Sequence, residues 1–210
     1  MGTDIHGVAQ RRTAAGWQDV PSSSWHHRDY QLFAALAGVR NGRGFAGIKT
    51  GDAIDPIAEP RGLPPDFEVI GDQHPLPKDV WEAYPLAKYY EPGEEGYGSL
   101  WMGDHSHSWL SADEILAWRD RAPIVWKTGV LARPEFEAWR PGSAPEAYCG
   151  GVSGPGVVIV DMAEAKERPS SHVRVSWHEG LRERLGYFFA EVERLRAEHG
   201  EVRLVFGFDS

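Results

Sequence analysis

One cysteine, Cys149, stands in a chain of 210 residues. An intramolecular disulfide is therefore impossible, which fits a reducing compartment. No apolar run approaches the ~20 residues of a membrane-spanning helix, so no membrane partner is expected. The start, Met-Gly-Thr-Asp-Ile-His, has neither a basic nor an apolar stretch, and no secretory signal is expected there. With His6 where Ser or Thr belongs, Met1-Gly2 is a poor myristoylation site. Positive charge is scarce. The chain carries 22 Lys and Arg against 31 Asp and Glu, a net charge of -9, which argues against unaided binding along a nucleic-acid backbone. A local basic pocket remains compatible with that balance. No repeat and no linker is visible, and the length suits one domain, residues 1–210.

Glycine (24), proline (15) and tryptophan (9) are what the chain has instead. The first two predict many ordered loops, and tryptophans often line cores and ligand pockets. Strands are predicted over 3–10 and around Trp17–Val20, then a loop at Pro21–Ser24. Leu32, Phe33, Leu36 and Val39 share one face of a helix over 28–39, stopped at Asn41-Gly42. Residues 40–66 show little regular pattern but carry Phe45, Ile48, Ile54, Ile57 and Leu63, so an ordered functional loop is expected. A short helical region over 76–89, a loop tip at 91–98 and a strand over 100–109 follow. Ser111-Ala112-Asp113-Glu114 is a capping box that opens a helix to about Arg119. Residues 124–132 fit either strand or helix, 134–139 a short helix with proline first, and 157–160 a buried strand. Val173, Val175 and Trp177 alternate as a strand. Leu181, Leu185, Phe188, Phe189, Val192 and Leu195 form a helical stripe over 179–198. Val202, Leu204, Phe206 and Phe208 alternate as a last strand. This strand–helix–strand run suggests a parallel βαβ-like unit. The fold class is α+β: a single domain with a mixed sheet, helices mainly on one face, and long ordered loops.

Chemistry is suggested by two i,i+2 pairs. Gly103-Asp104-His105-Ser106-His107-Ser108-Trp109 would place His105, His107 and Trp109 on one strand face. Asp4 and His6 form a second such pair. Were the two strands neighbours, a carboxylate and three imidazoles would converge, a ligand set for zinc, manganese or iron. Asp104 would then serve as a base or support a ligand. The glycine-rich run 40–51, with Arg40, Arg43 and Lys49, could cradle a phosphate, although it follows a helix where nucleotide fingerprints precede one. Gly151-Val152-Ser153-Gly154-Pro155 lacks the last glycine of a nucleophile elbow.

Asp4-Ile5-His6-Gly7, Gly51-Asp52-Ala53-Ile54-Asp55 and Gly103-Asp104-His105-Ser106-His107 partly resemble the motifs of calcineurin-like metallophosphoesterases. The family's Gly-Asn-His motif is missing, and the last match has one extra residue. A longer set of motifs runs nearly end to end. Arg40-Asn41-Gly42-Arg43-Gly44-Phe45-Ala46-Gly47-Ile48, Pro60-Arg61-Gly62-Leu63-Pro64, His105-Ser106-His107-Ser108-Trp109-Leu110 and Val205-Phe206-Gly207-Phe208-Asp209 resemble an uncharacterised family encoded by tailed bacteriophages and prophages. That resemblance implies action in the cytoplasm of an infected bacterium and supplies no mechanism.

The leading expectation is a phage-encoded metal-dependent hydrolase of a phosphorylated or nucleotide-like small molecule. Asp4, His6, His105 and His107 would hold zinc or manganese, Asp104, His105 and His107 would act in catalysis, and Arg40, Arg43 and Trp109 would bind substrate. The alternative is a non-catalytic counter-defence protein that captures a nucleotide signal or a host protein. The sequence assigns no oligomeric state.

Overall fold

The computed structural model describes residues 2–22 and 25–210; Met1 and the Ser23-Ser24 part of the expected loop lie outside them. In chain order the elements are β1 (Ile5–Thr13), β2 (Gly16–Val20), α1 (Tyr30–Ala37), β3 (Gln73–Pro75), α2 (Lys78–Glu82), β4 (Ser99–Trp101), β5 (His105–Ser111), α3 (Ala112–Arg119), β6 (Ile124–Ala132), α4 (Arg133–Ala138), β7 (Ile159–Asp161), β8 (His172–Gly180), α5 (Leu181–Arg184), α6 (Gly186–His199) and β9 (Val202–Phe208). Single 3₁₀ turns lie at Phe45–Gly47 and Ala87–Tyr89. Among the described residues no helix is long and apolar enough to cross a membrane.

The fold is α+β with mixed pairing. A four-stranded antiparallel sheet has the order β2-β1-β9-β5, and a second sheet has the order β6-β8-β7 with β7 parallel to β8. Strand β9 is central and buried along its whole length. Its alternation sends Leu204, Phe206 and Phe208 to the face covered by α1, α3 and α6, where Leu32, Leu36, Ile115, Phe188, Val192 and Leu195 complete the main core. Val205 points the other way, to a second cluster with Val8 of β1, Trp81 of α2, and Phe67, Leu76 and Met102 from the connecting loops. The predicted capping box is present: Ser111 Oγ accepts from the Glu114 N–H at 3.2 Å, and the Glu114 carboxylate accepts from the Ser111 N–H at 2.9 Å. Helix α1 ends at Gly38, in the left-handed conformation, three residues before the expected stop.

The expected βαβ unit is corrected. The α6 stripe is buried as predicted, but β8 and β9 lie in different sheets. Strand β8 is matched residue for residue by β6, from Ile124↔Gly180 to Ala132↔His172. Strand β9 needs a partner on each edge, because it is buried on both faces, and takes β1 and β5, both antiparallel. The expected strand over 100–109 is likewise two strands, broken at 102–104.

A buried polar network ties loop 64–74 to the outer face of the first sheet. Arg203, 3% exposed, donates to Gln10 Oε1 (2.8 Å) and Asp66 Oδ1 (2.8 Å) and lies over the Trp17 ring at 4.2 Å. Gln10 donates on to Asp19 (2.7 Å), whose other oxygen meets His74 Nε2 at 2.8 Å. Two of the three Arg203 nitrogens find acceptors, while Nη2 is buried without a hydrogen-bond partner.

His26 is enclosed by Trp25, 4.2 Å between ring centres, and by the edge of Tyr84 at 4.7 Å. Burial lowers its pKa from 6.5 to about 3, against a backbone hydrogen bond at Ser22 that favours the charged form. The unfolded chain takes up this proton near pH 6.5 and the folded chain does not, so stability falls as pH drops through that range. Between pH 7 and 5 this ring is expected to remove about 2 kcal/mol. Denaturant midpoints at the two pH values check it. His26→Phe should flatten the dependence; an unchanged slope would assign the acid sensitivity to other groups.

Candidate functional site

The residues expected to share a metal are separated by strand order. Strands β1 and β5 are not adjacent, because β9 lies between them. Ile5 and His105 both register with Phe208, from opposite sides, and His6 registers with Gly207. The i,i+2 reading of β5 fails for a local reason. Ser106 adopts φ 51°, and the register shifts between His105 and Ser108. This bulge turns the two histidines to opposite faces. The His105 ring lies against Phe208 (6.2 Å between centres), and His107 packs over Gly207, the next residue of β9.

Each group also has its own partner. Arg28 donates two hydrogen bonds to Asp4, at 2.9 and 2.5 Å. His6 Nε2 meets Asp209 Oδ2 at 3.0 Å, and its ring lies 4.9 Å from that of Trp101. Burial would raise the Asp209 carboxyl, but hydrogen bonds from His6 and the Asp4 N–H outweigh it and hold the carboxyl low. His105 meets Ser106 and Ser210 hydroxyls, and His107 Nε2 meets the Gly103 carbonyl at 3.1 Å. Asp104 is exposed, its N–H bonded to the Phe208 carbonyl at 2.7 Å. Trp109 carries the Arg61 guanidinium 5.1 Å from its ring centre, and Arg61 also pairs with Glu114. Among the described residues, no three His, Cys, Asp or Glu side chains are grouped to hold a metal ion.

The loop 40–62 is ordered but splits between two places. Its end reaches β5, where the Gly62 N–H donates to the His107 carbonyl at 2.9 Å. Its start turns away to β6, where Gly51 bridges to Lys127. Arg40 donates to Thr3 Oγ1 at 2.7 Å and Arg43 to the Gly47 carbonyl at 2.9 Å, and neither shares a hollow with His105 or His107. The two arginines line a small recess of about 30 Å³ between α1 and β6, which adjoins a groove of about 360 Å³. The groove's walls are the start of α1, loop 43–50, β6 and loop 148–151.

Lys127 lines both hollows and is 7% exposed. Its stem runs past Gly51, where an added Cβ would sit 2.9 Å from Lys127 Cδ. Among the described residues Lys127 makes no hydrogen bond and no ion pair. Burial lowers its pKa; the charges of Glu179 and Asp29 act in the opposite sense and that of Arg184 in the same one. Those neighbours are engaged with each other. Asp29 caps α1, accepting from the Gln31 and Leu32 N–H groups at 3.0 and 3.3 Å, and its second oxygen takes Tyr187 Oη and Arg184, both at 3.0 Å. Gln31 donates to Glu179. Two of the buried polar atoms that lack a hydrogen-bond partner lie close by: Tyr30 Oη, on the wall of both hollows, and Trp177 Nε1, on the residue opposite Lys127 in the β6–β8 register. Tyr148, whose ring meets Trp177 at 4.8 Å, also lines the groove; burial raises its phenol pKa.

Compared with known protein families, with curated proteins and with solved structures, the chain matches none of them.

Sequence reasoning named Arg40 and Arg43 but passed over Lys127, Tyr30 and Glu179. One signal was available. Val125, Lys127, Gly129 and Leu131 occupy alternate, buried positions of one strand, and a lysine at such a position is costly unless something meets it.

Proposed function

We propose that this chain is a binding protein for a small phosphorylated, nucleotide-like ligand, which enters the groove beside Lys127. The observation that carries this reading is the pairing, on the wall of one groove, of Tyr30 Oη, buried without a partner, with Lys127, a residue 7% exposed whose side chain has no hydrogen bond or ion pair among the described residues. A lysine side chain this enclosed, with no acceptor from the protein, favours a ligand that brings one. A phosphate oxygen supplies the missing acceptor to both groups at once. Arg43 adds positive charge on the same groove, and Arg28 and Arg184 line it while paired with Asp4 and Asp29. The volume is at the small end for ligand sites, which favours a compact phosphate ester. A phage origin would have the protein meet such a ligand, including a nucleotide signal, in the bacterial cytoplasm.

Titration calorimetry with adenosine monophosphate, glycerol 3-phosphate and adenosine tests this. The two phosphate esters are expected to bind and adenosine at least tenfold more weakly. Lys127→Met should weaken the esters by about 10–100-fold, the range for a hydrogen bond to a charged group. Equal binding of adenosine, or an unchanged affinity in Lys127→Met, would overturn the reading.

A further inference from the structure

Lys127 has an arrangement that goes beyond holding an anion. Arginine serves that purpose with a fixed charge and a bidentate fork, and the groove already has Arg43, Arg28 and Arg184. A lysine enclosed by protein, beside a guanidinium and free of an ion pair, is arranged as a nucleophile. Its surroundings supply the proton handling that carbonyl addition needs. Tyr30 Oη and the Tyr148 phenol line the same groove as the amine. The Glu179 carboxylate belongs to the set of charges that acts on both Lys127 and Tyr148.

We propose that Lys127 forms an imine with the carbonyl carbon of a phosphorylated aldehyde or ketone held in the groove. The inference rests on the groove reading in one respect: the arginines hold the phosphate while the amine meets the carbonyl. The neutral amine attacks the carbonyl carbon and the C=O π pair moves to oxygen, giving a carbinolamine after proton transfer. A tyrosine hydroxyl protonates the departing oxygen, which leaves as water while the nitrogen lone pair closes C=N. The net change is one amine, one carbonyl and one proton to one protonated imine and one water, with no oxidant or reductant. Burial, and after it the Arg184 charge, lowers the Lys127 pKa against the charges of Glu179 and Asp29, so a larger share of Lys127 than of an exposed lysine is neutral at a given pH.

The test is reductive trapping. Protein is mixed at pH 7.0 with glyceraldehyde 3-phosphate and sodium cyanoborohydride, and adducts are mapped by peptide mass spectrometry. Lys127 is expected to be labelled at least tenfold faster than the exposed Lys49, Lys78, Lys88 and Lys166. Glycerol 3-phosphate, which has no carbonyl, should compete, and unphosphorylated glyceraldehyde should label tenfold more slowly. Lys127→Arg should give no adduct on β6, while glycerol 3-phosphate binding to the unaltered chain checks the groove separately. Binding of glycerol 3-phosphate with no preference for Lys127 would overturn this inference and leave the groove reading standing. Preferred labelling of Lys127 that is indifferent to the phosphate would overturn both the phosphate reading of the groove and the choice of a phosphorylated carbonyl. Neither binding nor preferred labelling would remove both.

Discussion

Gly103→Ala is expected to cost about 3–4 kcal/mol of stability, among the larger effects of any single methyl group in this chain. Two separate terms add. Gly103 has φ 82°, a conformation that costs an alanine roughly 1 kcal/mol. The added Cβ would also sit 2.5 Å from the Phe208 carbonyl oxygen and 2.7 Å from the Phe208 nitrogen. Those are backbone atoms of the central strand, fixed by its pairing to β1 and β5, so the contact is relieved only by moving the sheet. Gly98 separates the two terms. Its φ is 77° and nothing lies within 4 Å of its would-be Cβ, so Gly98→Ala should show only the conformational cost, about 1 kcal/mol. Urea unfolding of both variants checks this through midpoints at constant slope. Similar losses in the two would mean that the sheet yields at Gly103, and that the close approach of 102–104 to β9 is soft.

The same segment shows how much of the fold was legible. A glycine within a presumed strand over 100–109 is a break signal, and the break falls at Gly103. Where a pattern is local it was readable: the α6 stripe, the Ser111–Glu114 box and the alternation of β9 all depend on neighbours a few residues apart. Strand order is set by which edges meet, and no local pattern in β1 or β5 says that β9 comes between them. The candidate site failed first at this level. The Asp4–His6 and His105–His107 spacings were real, but Ser106 bulges and β9 intervenes. Lys127 was hidden for another reason. Its chemistry comes from the start of α1, loop 40–51 and α5, elements remote in sequence that close around one strand.

The second large effect is expected at Asp29, which joins that groove to the main core. Its side chain is 3% exposed and serves three elements. One oxygen caps α1; the other accepts from Tyr187 Oη on α6 and from Arg184 on α5. Asp29→Ala removes the cap, worth about 1 kcal/mol. It leaves the Tyr187 hydroxyl without this partner at a site where burial, first, and the Asp29 charge both raise the phenol pKa, for a further 1–3 kcal/mol. It also leaves Arg184 with only Glu179, 3.9 Å away. Together the loss should be about 3–4 kcal/mol, less than the sum because the terms share one pocket. Asp29→Asn separates cap from charge. Asparagine caps as well as aspartate and can accept from Tyr187, so it should recover roughly half of the loss while removing the charge that faces the guanidinium. A double-mutant cycle with Tyr187→Phe should give a coupling of about 1 kcal/mol, from the bond that both single changes remove. If Asp29→Asn is as damaging as Asp29→Ala and the cycle shows no coupling, the carboxylate acts through its charge on Arg184 alone. The rigidity of the groove wall would then come from the ion pair, and not from the anchoring of α1 to α6.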